Sequence, residues 1–153
     1  MGYSPKYHRI NSYRLDYITG VKIGDAADHF SQLRDKLAAM QKYMWGISCS
    51  RHSKLEHVEF TIFIAEGEEH ILQRLEREKR CGAVQQIDKN TCRFTADVYD
   101  TSEMIPWIRT FICRITSLNF SNRTIENQFK QDILDMYVLY ETDGVEDNYG
   151  IIS

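Results

Sequence analysis

Arg14 is the side chain best fitted to hold an anion, because a guanidinium fork makes paired, charge-assisted bonds to carboxylate or phosphate. Its simplest competing partner is Asp16, two residues on. Cys49-x-x-His52 with His57 close behind has a metal-like spacing. A structural zinc site needs four convergent ligands, however, and no fourth is evident, so no metal is expected. Glu66, Glu68 and Glu69 make a carboxylate cluster, but acids in the first turn of a helix are what its dipole favours. Arg77, Lys79 and Arg80 are likewise explained as last-turn bases, with Glu76 four residues before Arg80. No histidine sits beside a cysteine or serine in a nucleophile motif, and neither GxGxxG nor GxxxxGK occurs. The expectation is a protein that is not an enzyme and carries no cofactor.

The 153 residues fit one main domain, and 42% apolar content supports a core without disulfide or metal staples. Basic residues number 19 against 22 acids, and four acids (Glu141, Asp143, Glu146, Asp147) fall in the last thirteen residues. Near-neutrality lacks the basic stripe that phosphate neutralisation requires, so DNA binding by this chain alone is not expected. Cys49, Cys81, Cys92 and Cys113 show no CxxC spacing, and no signal segment opens the chain. Reduced thiols in the cytoplasm are therefore expected. The longest uncharged apolar run, Phe60 to Ala65, is far short of the roughly 20 residues of a membrane helix, so no membrane is expected as a partner.

The elements that must position these groups follow from periodicity. Aromatic and branched residues predict two short strands, Arg9 to Leu15 and Ile18 to Ile23, which cannot stand alone. Phe30, Leu33, Leu37, Met40 and Met44 predict a helix from about Ala26 to Tyr43, capped by Asp25 or Asp28, and Gly46 to Lys54 reads as a linker. Alternation then predicts a strand through Val58, Phe60, Ile62 and Ile64, and a helix opened by Glu66 with the stripe Ile71, Leu72 and Leu75, ending before Gly82. A hairpin follows, with strands Ala83 to Asp88 and Phe94 to Val98. Next come a helix from about Ser102 to Ile112, a strand from Arg114 to Phe120, and a helix capped by Ser121 or Asn122 with Ile125, Phe129, Ile133, Met136, Tyr137 and Tyr140 on one face.

This order is α+β: a ferredoxin-like βαββαβ sheet with an extra C-terminal helix, preceded by a short strand pair and a helix. Right-handed crossovers place its first and third strands in the middle. Helices on one face leave Glu59, Thr61, Phe63, Arg93, Thr95, Asp97 and Tyr99 on the other, with Phe63, Arg93 and Tyr99 as interface candidates.

Tyr13-Arg14-Leu15-Asp16-Tyr17-Ile18, followed by Val21 and Ile23, resembles the end of the WYL domain of bacterial transcription regulators. Val58 to Tyr140 is similar to their C-terminal WCX extension, through the strand-helix opening, Trp107-Ile108-x-x-Phe111, the strand Ile115 to Phe120 and a closing helix containing Met136-Tyr137. Tyr17 stands where the family usually has a second arginine, Ile112 where a glycine is common, and Ser121 where a proline often precedes the last helix. The resemblance implies four segments: 1–23, a strand remnant of an SH3-like WYL barrel; 24–54, helix and linker; 55–141, a WCX-like ferredoxin-like domain; and 142–153, a flexible acidic tail. It implies an effector-sensing and oligomerising region of a regulator, forming a homo-oligomer, with Arg14 contacting a small-molecule or nucleic-acid effector. DNA would be bound only through a missing N-terminal helix-turn-helix. The residues themselves leave two alternatives: a stand-alone ferredoxin-like metabolite-binding domain or small enzyme using His57 or Glu66, and a single-stranded nucleic-acid sensor using Arg14, Arg93, Phe63 and Tyr99.

Overall fold

Pro5 fixes the backbone for a tight 3-10 turn over Pro5–Tyr7, and His8 closes it in the left-handed region at φ 48°. The chain thereby reverses, and β1 (Gly2–Ser4) pairs antiparallel with β2 (Arg9–Asn11). This computed structural model describes residues 1–25, 29–49 and 54–141. The hairpin corrects the expected one: only 9–11 of the first predicted strand is extended and paired, and 18–23 forms no strand. Leu15–Tyr17 is a 3-10 turn, and Val21 is 85% exposed. Apolar alternation marks a strand only where a neighbour supplies backbone partners, and for 9–11 that neighbour lies upstream in a segment with little β pattern. The next element, α1 (Phe30–Gln41), is shorter than predicted; Asp28 lies outside the described residues, and the chain turns at Lys42.

Eight alternating residues make β3 (Glu56–Phe63), which buries Val58, Phe60 and Ile62 completely. Then follow α2 (Glu69–Glu78), β4 (Ala83–Gln86), β5 (Thr91–Val98), α3 (Ile105–Arg109), β6 (Ile115–Phe120) and α4 (Arg123–Glu141). The sheet runs β4-β5-β3-β6 with every neighbouring pair antiparallel. The first and third strands of the unit are therefore central, as the crossover argument requires, and the fold is α+β.

Local chemistry explains where helices begin and stop. Gly67 adopts φ +84°, which keeps Glu66 out of α2. The Glu68 carboxylate instead accepts the Ala65 N–H at 3.2 Å and a bond from Arg114 Nη2 at 2.7 Å. The predicted helix from Ser102 to Ile112 is broken into a 3-10 turn at Thr101–Met104, the short α3, and a second 3-10 turn at Ile112–Arg114. Pro106 supplies no N–H, so the α-helical ladder begins only around it, while Asp100 caps the preceding turn by accepting from Ser102 N–H at 2.9 Å.

The core lies between the sheet and its helices. Trp107 packs against Trp45 with ring centroids 4.6 Å apart, and also meets Phe94, Phe111 and Phe60 edge-on. Phe129 of α4 is buried against Phe120. Gly82 allows the chain to enter β4: at φ +83°, a Cβ there would lie 2.5 Å from the Thr95 carbonyl oxygen.

Candidate effector site at the open sheet face

Side chains that alternate with the core set project from the uncovered face of the sheet. Register decides which of them meet. His57 is paired with Asp97, Glu59 with Thr95, Thr61 with Arg93 and Phe63 with Thr91. His57 and Asp97 use that proximity: Nδ1 lies 2.8 Å from Asp97 Oδ1. A carboxylate on one ring nitrogen fixes the imidazole's orientation and leaves the other nitrogen available. Among the described residues His57 Nε2 has no hydrogen-bond partner.

The C-terminal end of α1 reaches the same place. Tyr43 and Tyr99 meet edge-on with centroids 6.2 Å apart, and Tyr99 N–H donates to the Tyr43 carbonyl at 3.1 Å. Lys42, Tyr43, His57, Thr95 and Asp97, with the backbone around Gly82, line a cavity of about 240 Å³. Among the described residues Lys42 has no carboxylate partner. The cavity thus combines an ammonium, an oriented imidazole, a phenol and a hydroxyl with a single carboxylate already committed to the imidazole. It falls just below the usual range for drug-sized ligands, so it suits a small polar or anionic molecule.

Three contacts hold α1's end in this position. Trp45, 5% exposed, is buried in the aromatic cluster, and Arg80 Nη1 donates to its carbonyl at 2.9 Å. The Glu103 carboxylate then clamps the next residues. It accepts Gly46 N–H and Ile47 N–H at 2.9 Å and both the N–H and hydroxyl of Ser48 at 3.1 Å. Successive N–H groups converging on one anion form a backbone nest, here filled by the chain's own carboxylate.

The residues singled out from sequence do not form one site. Arg14 is solvent-exposed, donates to both oxygens of Asp16, with Nε at 3.1 Å, and lies over the Tyr17 ring at 4.7 Å. Phe63, 48% exposed, and Arg93 are diagonal neighbours on β3 and β5, and among the described residues the buried Arg93 Nε has no hydrogen-bond partner. Tyr99 lies six positions beyond Arg93, roughly 20 Å along the strand, against Tyr43. The structure therefore joins Phe63 with Arg93, joins Tyr99 to the His57 end, and leaves Arg14 apart. His52 lies outside the described residues, and among those described no group of three or more His, Cys, Asp or Glu side chains converges on a metal position. Glu68 is structural: its bond from Arg114, working against some desolvation, holds its carboxyl below the ordinary range. Burial pushes the Cys81 and Cys92 thiols up, which suppresses thiolate chemistry there.

The sequence places Asp97 on the open face but leaves His57 just before the predicted strand, so the two are not paired from sequence. Their positions out of phase with Val58 and Val98 were the available signal, but only the register puts the two opposite each other. Lys42 falls next to the end of the predicted helix and nothing in the sequence singles it out.

No family model, curated protein or solved structure matches this chain. Among the described residues no helix is long and apolar enough to cross a membrane.

Proposed function

We propose that this chain is the effector-sensing and oligomerising region of a WYL-type transcription regulator, and that its effector is a small anion held in the Lys42–His57 cavity. The observation that carries this reading is the 240 Å³ cavity, lined both by Lys42, which has no carboxylate partner among the described residues, and by His57, whose ring Asp97 orients. A ferredoxin-like sheet is also what the resemblance of Val58 to Tyr140 to the WCX extension implies, and the strand order β4-β5-β3-β6 agrees with it. Arg14 is the residue that resemblance points to, but its fork is already engaged by Asp16. We therefore assign the primary contact to Lys42 and His57. The single-stranded nucleic-acid alternative needs Arg14, Phe63, Arg93 and Tyr99 on one track, and their separation reads against it.

Two experiments test the reading. Thermal-shift screening with small carboxylates and phosphates should find a stabilising anion whose effect is lost in Lys42→Ala. Recovery of the reading frame upstream of Met1 should reveal a helix-turn-helix in frame. A frame encoding no such module would refute the regulator assignment, and turnover of a bound anion that disappears in His57→Gln would replace sensing with catalysis.

A further inference from the structure

At about 240 Å³ the Lys42–His57 cavity holds one end of a metabolite-sized molecule rather than all of it. Strand register shows where the remainder would lie. Beyond Asp97 the Tyr43 and Tyr99 rings meet and close that end. In the other direction the cavity is floored by Thr95 on β5 and by Ala83 directly opposite on β4, both small. The next pair facing outward along those strands is Arg93 and Gln85, with Thr61 opposite Arg93 on β3. Four residues of β5 separate Arg93 from Asp97, a distance of roughly 13 Å.

Arg93 is a cation without an assignment. Among the described residues it has neither a carboxylate partner nor a hydrogen bond, and of its three nitrogens only Nε is buried, so the two Nη atoms face solvent. Glu59, opposite Thr95 and diagonal to Arg93, is half-buried and forms no ion pair among the described residues either. Along one track the open face therefore presents the Lys42 ammonium, the Glu59 carboxylate and the Arg93 guanidinium.

We propose that the effector is an elongated dianion. One anionic group sits in the cavity against Lys42 and His57. The other is held by the Arg93 fork, which suits carboxylate or phosphate, with Gln85 and Thr61 beside it. The spacer crosses Thr95 and Ala83, where Glu59 rejects negative charge and favours hydrogen-bond donors. This rests on the cavity reading above and names the class of ligand that the site takes. Two linked contacts raise affinity only when the spacer matches their separation, because a shorter one reaches a single cation at a time.

Calorimetric titration of the full chain with linear dicarboxylates from glutarate to dodecanedioate, each against the monocarboxylate of equal length, tests this. Affinity should peak where the two carboxylates stand roughly 10–13 Å apart, at about tenfold or more above the matching monocarboxylate. Arg93→Gln should remove that gain, and Arg93→Lys, which keeps the charge without the fork, should restore part of it. Glutarate is too short to reach Arg93 and should bind wild type and Arg93→Gln alike. Glu59→Gln should strengthen the long dicarboxylates by about twofold to threefold, since it removes the like charge beside their spacer. In NMR spectra the Arg93 Nε–H signal should move with the long dicarboxylates and stay still with glutarate. Affinity without a length optimum, a rise with length shared by the monocarboxylates, or an optimum that survives Arg93→Gln would each overturn the bridge. Glutarate binding that persists in those cases and is lost in Lys42→Ala leaves the cavity reading standing, whereas a cavity that binds none of these anions overturns both.

Discussion

Replacing Glu103 with alanine removes the one carboxylate that gathers Gly46, Ile47 and Ser48. Hydrogen bonds to a charged acceptor contribute about 1.5–3 kcal/mol each when fully desolvated, but Gly46 and Ser48 are only half-buried, Ile47 is exposed, and water can replace the acceptor. Taking less than the low end for each of the three N–H bonds gives a loss of about 2–3 kcal/mol, or a melting temperature lower by roughly 5–10 °C for a chain of this size. Trp45 stays wedged against Trp107, so the domain should remain folded while the 46–48 segment opens locally. Hydrogen exchange should therefore accelerate at Gly46, Ile47 and Ser48 far more than in β3 and β5. Lys42 and Tyr43 precede the Trp45 anchor, and Tyr43 stays bonded to the Tyr99 N–H, so anion affinity should change by less than about threefold. Glu103→Gln should recover little, because one of its two facing atoms becomes an NH₂ aimed at an N–H. Denaturant unfolding that changes by less than about 0.5 kcal/mol, with exchange at 46–48 unaltered, would refute the latch.

Gly82→Ala should destabilise the domain by about 2–4 kcal/mol in chemical denaturation, since alanine there meets both an unfavourable φ and the Thr95 carbonyl at 2.5 Å. Glu126→Ala should cost about 2–4 kcal/mol by the same measurement, because it strips the buried Phe120 N–H of its 2.8 Å acceptor. Acid should unfold the protein through its lowered carboxylates. At Glu126 burial alone would raise the carboxyl, but bonds from Lys130 and Phe120 N–H, together with the Arg123 charge, outweigh it, and Glu78 is held low by Arg74. Groups lowered on folding stabilise fully above the unfolded value of 4.5, and that stability is lost as pH falls through their folded values. A denaturation midpoint flat from neutrality down to about pH 5 and dropping below it is expected, and Glu126→Gln should shrink the drop. Phe63→Ala should change stability by less than about 0.5–1 kcal/mol, its side chain being half-exposed on the open face.

The sheet was legible because β3 and β5 alternate over eight residues each, so Val58, Phe60 and Ile62 and then Cys92, Phe94, Ala96 and Val98 all declare one buried face. Chain order then left little freedom in topology. The amino-terminal strands were misplaced because residues 18–23 look extended by composition yet pair with no strand among the described residues, whereas Gly2–Ser4 has the partner without the composition. Trp45 reads as the edge of a linker but is pulled into the core by Trp107, a contact between residues 62 positions apart that no local pattern encodes. The same holds for the site. His57 and Asp97 become a pair through strand register, and Lys42 arrives there because the core around Trp45, Arg80 and Glu103, all distant in sequence, hold the segment that follows it.

The central claim is that this molecule holds a small anion where α1 ends over His57. Titrating the isotopically labelled chain with the best anion from the screen, and following backbone amides by NMR, tests it most directly. The account predicts saturable shifts concentrated at Lys42, Tyr43, His57, Thr95 and Asp97, absent in Lys42→Ala. Shifts centred on Arg14, or on Phe63 and Arg93, would contradict it.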